Sequence, residues 1–143
     1  MMPTSWEKTG QTKAPLSKVI SYFMDPEHEL KVHPGLVKEI KNVKREGDVL
    51  TWEQTLSLMG MNLRSTVRSS LNRATNSIAT QGISGAGKGT TTTRTMKEIP
   101  TGTEIHWTYN LKAGALGFFI KSRGKRAFEE TVDRDIRALD ELA

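Results

Sequence analysis

The sequence of 143 residues contains no cysteine. That excludes disulfides, thiolate metal sites, iron–sulfur clusters and cysteine nucleophiles together. A cytoplasmic location is the expectation, since the opening MMPTSWEKTGQ has no apolar core of a signal peptide. Nor does any run approach the ~18 apolar residues of a membrane span. Aromatic residues make up 6% of the chain, and proline is absent after Pro100. No acid occurs between Glu53 and Glu98, where Arg64, Arg68, Arg73, Lys88, Arg94 and Lys97 fall, and none from Lys112 to Arg126. What remains is ordinary for one globular domain: 36% apolar residues, 26% charged residues and a net charge of +5. The basic excess reads first as a solvated face. Contact with nucleic acid, the ribosome or an anionic membrane is the less favoured reading, because no exposed aromatic interleaves Arg64 and Arg68 as base stacking requires.

Residues 5–13 form a weak first strand. Pro15 then opens a helix whose apolar stripe is Leu16, Val19, Ile20 and Phe23. Asp25-Pro26 starts a second, short helix that His33-Pro34-Gly35 ends. Residues 36–43 are lysine-rich and lack a two-residue period, which predicts an edge strand. Beyond the turn at Glu46-Gly47-Asp48, Leu50, Trp52, Gln54, Leu56 and Leu58 alternate on one face of a strand. Ser65, Val67, Ser69 and Leu71 do so on the next. Residues 77–81, 90–99 and 104–112 complete an antiparallel meander. From Leu116 onward, apolar residues recur at three- and four-residue intervals through Phe128, Val132, Ile136 and Leu139, predicting one helix of about 26 residues.

The expected architecture is therefore α+β. A curved antiparallel sheet of about seven strands wraps a long C-terminal helix, with two short helices after the first strand, all in a single domain 1–143. Six strands of about nine residues place roughly 27 side chains on the covered face, whereas one helix stripe supplies about eight. Several inward positions are small or polar: Ser65, Ser69, Thr80 and Thr92. An internal apolar cavity with a few polar handles follows, the usual form of a small-molecule site.

This order of elements resembles the helix-grip fold of the START-like superfamily, and within it the polyketide cyclase/dehydrase and lipid-transport group, SRPBCC. The resemblance is carried by Ala14-Pro15, by SKVISYFMD (17–25), by HPGLVKEI (33–40), by GTEIHWTYNL (102–111) and by the terminal helix. It implies the fold and a choice among lipid carriers, cyclases, coenzyme-Q-binding proteins and modules that act on other proteins.

GISGAGKGT (82–90) matches the G-x-x-x-x-G-K phosphate-loop pattern. A phosphate loop needs a buried strand before it and a helix after it. Here the preceding residues are polar and a threonine run follows, so a glycine-rich hairpin is expected instead. His28, His33 and His106 show no paired helical spacing and no acidic companions, so no metal and no cofactor are expected. Trp52, Trp107 and Tyr109 fall on covered faces. Gln54 and Arg94 point inward by parity, and an inward Arg94 needs an acid, a carbonyl array or an anionic ligand head; a bulge in the threonine run would turn it outward instead. Asp133 and Asp135 are expected on the polar side or flank of the terminal helix. No catalytic residue is assigned, although Tyr22, His33 and Tyr109 are the titratable groups near the expected cavity.

The expected function is binding or transport of a small hydrophobic or amphipathic ligand. Its wall would comprise Trp52, Gln54, Arg94, Trp107, Tyr109, Phe119 and Arg123, and its gate Tyr22, Phe23 and His33. A cyclase or dehydrase-type enzyme is the alternative.

Overall fold

A computed structural model describes residues 4–33, 37–58, 60–85, 88–111 and 117–143, with side chains for all of these except 4, 58 and 117–124. The chain runs β1 (Thr4–Thr12), α1 (Leu16–Phe23), α2 (Glu27–Val32), β2 (Val37–Glu46), β3 (Val49–Leu58), β4 (Met61–Asn72), β5 (Ser77–Gly85), β6 (Thr91–Ile99), β7 (Gly102–Leu111) and α3 (Gly117–Glu141). The strands make one seven-stranded sheet in the order β1-β7-β6-β5-β4-β3-β2, and the neighbouring pairs are antiparallel. The expected helix-grip fold is observed.

Each local device has a visible cause. Pro15 sits in extended conformation immediately before α1, and its carbonyl accepts from Lys18 and Val19 N–H. The Asp25 carboxylate accepts the Glu27 N–H at 3.0 Å, satisfying an otherwise orphaned donor at the start of α2. β2 is an edge strand, and register shifts after Val37 and after Lys41 break its pairing with β3. Such irregular, charged edges resist pairing with a second chain. The glycine-rich segment closes a hairpin: Gly82 N–H donates to Thr90 O and Gly89 N–H to Gly82 O, both at 2.9 Å. A strand, β6, follows it, so the helix that a phosphate loop requires is replaced by sheet.

The core lies on one face of the sheet. Leu50 and Trp52 of β3, Val67 and Leu71 of β4, Ile78 of β5, Met96 of β6 and Ile105 and Trp107 of β7 are buried there. α3 packs on β1 and β7, while α1 packs on β6, β7 and α3. Phe128, Val132, Asp135 and Leu139 of α3 are buried. Their spacing of four, three and four keeps them on one helix face. The C-terminal end of α3 is fixed to the end of β1, where Asp140 accepts from the Thr12 hydroxyl at 2.6 Å and from Lys13 N–H at 2.9 Å.

Candidate functional site

Arg94 points inward. It stands on β6 beside Trp107 of β7 and is 7% exposed. Its guanidinium carbon lies 4.5 Å from the centre of the Phe23 ring, and one terminal nitrogen donates to Thr80 Oγ1 at 3.1 Å. Thr80 in turn shares a 2.7 Å hydroxyl contact with Ser69. The aromatic face below the cation offsets part of its desolvation. Among the described residues, however, Arg94 Nε is buried without a hydrogen-bond partner, and so is Trp107 Nε1.

Across from them α3 contributes Asp135, which is wholly buried. This corrects the sequence reading, which placed it on the solvated side or flank of the helix. Its Oδ1 accepts from the Tyr22 hydroxyl at 2.7 Å and from His33 Nε2 at 2.9 Å, while Oδ2 is buried without a partner among the described residues. A carboxylate can only accept, so the His33 proton on this bond sits on Nε2. Burial first, and then the Asp135 charge and hydrogen bond, push the Tyr22 hydroxyl far above its ordinary value, so Tyr22 stays a donor.

His28 lies in the first turn of α2 and His33 at its C-terminal end, with ring centres 6.0 Å apart. His28 Nδ1 donates to the Asp25 carbonyl at 2.7 Å, and its Nε2 lies 3.0 Å from Glu29 Oε1 without hydrogen-bond alignment. Burial opposes charge on His28, but the Glu29 carboxylate and the Asp135 charge outweigh it and raise its pKa. Burial likewise works against the Glu29 charge, yet His28, His33 and Arg94 hold that carboxyl at about 2. The sequence reading gave the histidines no acidic companions. The structure shows two: Glu29, beside His28 on α2, and Asp135, which reaches His33 because α2 packs on α3.

Among the expected site residues, Tyr22, Phe23, His33, Arg94 and Trp107 therefore meet in one cluster. Trp52 and Gln54 form a pair of their own, indole Nε1 donating to Gln54 Oε1 at 3.0 Å. Gln54 opens on a depression of about 140 Å³ shared with Ser65, Thr66 and Gly85. Tyr109 belongs to an aromatic stack, 5.6 Å from Trp6 and 5.8 Å from Phe128, and burial raises its pKa. The side chains of Phe119 and Arg123 lie outside the described residues. Arg64 and Arg68 are exposed on the outer face of the sheet, and Arg73 is engaged by Asp48 at 2.9 and 3.0 Å. Among the described residues no helix is long and apolar enough to cross a membrane.

The family model for polyketide cyclase/dehydrase and lipid transport matches residues 4–143. The chain belongs to that family. Among solved structures it is similar to the Zhui aromatase/cyclase from Streptomyces sp. R1128, with TM-score 0.77, 14% identity, and coverage of 99% of this chain and 93% of the other. It is also similar to a START superfamily protein from Mycobacterium smegmatis, with TM-score 0.79, 14% identity and coverage of 97% and 99%. A third similar structure, Ara h 8.0201, has TM-score 0.70, 13% identity and coverage of 96% and 98%. No curated protein matches. At such identities the likeness carries the fold, and this member of the polyketide cyclase/dehydrase and lipid transport family must be read from its own side chains.

Proposed function

We propose that this chain binds a small hydrophobic or amphipathic molecule between the inward face of the sheet and α3. One observation carries the reading. Among the described residues, the donors Arg94 Nε and Trp107 Nε1 are buried without hydrogen-bond partners beside a core of apolar side chains. Buried polar groups are nearly always paired, and an unpaired one costs about 1–3 kcal/mol. A ligand whose apolar body lies along the sheet and whose acidic or carbonyl head meets Arg94 and Trp107 would satisfy these donors. The body would supply affinity at about 0.8 kcal/mol per buried CH₂, and the head would fix orientation. Membership of a family that takes in both cyclases and lipid transport supports the same reading.

The experiment is native mass spectrometry and lipid extraction of purified protein, followed by binding across a panel of fatty acids and isoprenoids. A co-purifying lipid, or saturable binding of an acidic amphiphile, is the expected result. An empty protein that binds nothing on the panel overturns the reading.

A cyclase or dehydrase-type activity is the second reading, and the Tyr22–Asp135–His33 chain favours it. An imidazole held by a buried carboxylate can pass a proton to or from a bound polyketone, while the Tyr22 phenol, kept as a donor, positions that carboxylate. Turnover of a poly-β-ketone surrogate, lost in Tyr22→Phe, would establish it; identical turnover in that variant would remove it.

A further inference from the structure

We propose that His28, Glu29 and His33 form a binding site for a divalent transition-metal ion, with zinc as the reference ion. One ligand atom from each lies within 4.8 Å of those of the other two. Around a tetrahedral ion with bonds of ~2.1 Å, ligands stand roughly 3.4 Å apart. Small rotamer movements therefore close the set, and the His28–Glu29 separation of 3.0 Å is already within that range.

Hydrogen bonding prepares both imidazoles. Histidines that bind metals usually donate their second ring N–H to a carbonyl or carboxylate, which fixes the tautomer. His28 Nδ1 donates to the Asp25 carbonyl, leaving Nε2, which faces Glu29, as its ligand atom. His33 Nε2 donates to the Asp135 carboxylate, leaving Nδ1. A backbone carbonyl and a buried carboxylate thus occupy the supporting positions of the two rings. A second observation concerns His28 Nε2: in a side chain only 6% exposed it makes no aligned hydrogen bond among the described residues, and its neighbour at 3.0 Å is the carboxylate of Glu29, the next ligand of the set.

Charge also favours a cation. Glu29 and Asp135 place two carboxylates around the site, against the single guanidinium of Arg94. Two nitrogens and one carboxylate suit zinc or iron(II) and leave coordination positions open. Glu29 is the one ligand with appreciable exposure, 20%, so the site has an approach from solvent.

The test uses the full chain after chelator treatment. Zn²⁺ is titrated calorimetrically, and Co²⁺ binding is followed by its visible absorption, which reports nitrogen and oxygen ligation. The expected result is one ion per chain, with Glu29→Gln and His33→Asn each weakening binding at least about tenfold. His106→Gln, which removes the exposed histidine paired with Glu7 and Thr9, leaves binding unchanged. Should His33→Asn fail to fold, Glu29→Gln carries the comparison, being near-isosteric and partly exposed. Absence of Zn²⁺ and Co²⁺ binding, or binding that survives Glu29→Gln, overturns the proposal. Lipid retention is measured on the same metal-free protein, so failure of the metal site and failure of the ligand reading are separate results.

Discussion

The Tyr22 hydroxyl donates to Asp135 Oδ1 at 2.7 Å and so ties α1 to the C-terminal half of α3 across 113 residues of sequence. His33 Nε2 meets the same oxygen at 2.9 Å. Removing the acceptor strands two buried donors, whereas removing one donor leaves the acceptor served. Asp135→Ala is therefore expected to cost about 3 kcal/mol and Tyr22→Phe about 1 kcal/mol. Urea denaturation of both variants checks the ranking, and equal costs would contradict the shared-acceptor arrangement.

The His28–Glu29 pair predicts a two-sided pH profile in metal-free protein. Glu29 is ionised down to about pH 2 when folded, against an ordinary value of 4.5, so its contribution is present above 4.5 and lost as pH falls toward 2. The pKa of His28 is raised above 6.5, so its contribution is complete below 6.5 and lost as pH rises through the folded value. Both limbs describe largely one interaction and are not summed. In Glu29→Gln the acid limb flattens and the alkaline decline shrinks, leaving the share due to Asp135. A stability profile unchanged by that substitution would show that the pair does not set it.

Arg94 separates stability from binding. Replacing a buried, incompletely paired ion by an apolar side chain of similar length is often neutral or stabilising. Arg94→Met should therefore keep or raise the urea midpoint while lowering affinity for acidic amphiphiles at least about tenfold, and affinity for neutral ones much less. A loss of several kcal/mol in Arg94→Met would instead mark the guanidinium as a structural partner of Glu29, whose carboxyl feels its charge.

Two glycines with positive φ give a contrast in the frame itself. Gly102 has φ +146°, and a Cβ there would run into the Thr12 carbonyl oxygen where β1 meets β7. Gly47 has φ +59° with open space around it. Gly102→Ala is expected to cost more than about 2 kcal/mol and Gly47→Ala about 1 kcal/mol. Thermal melting of the pair checks the order.

The sheet was legible because alternation and turn residues mark it directly. Parity placed Trp52, Arg94 and Trp107 inward, and lysine density with broken period marked β2 as an edge. Asp135 was missed for a specific reason. Its charge assigned it to the solvent side, although its spacing from Phe128, Val132 and Leu139 sets it on their stripe. The meeting of His33 with His28 and Glu29 was missed for another. A six-residue helix is too short to show a period, and the contact of His33 with Asp135 depends on α2 packing against α3. Tyr109 was correctly placed on a covered face, but its stack with Trp6 follows from the β1–β7 pairing, which no local pattern encodes.

That pairing has a consequence for how the chain acquires its shape. Thr4 sits opposite Leu111 and Thr12 opposite Thr103, so β1, the earliest strand along the chain, has β7, the latest, as its neighbour. Its ladder cannot form until the intervening hairpins exist. Such distant contacts slow folding, and on the ribosome β1 emerges with its hydrogen-bonding edge unclaimed. Of the seven strands, β1 is thus the first to be made and the last that the native sheet can recruit.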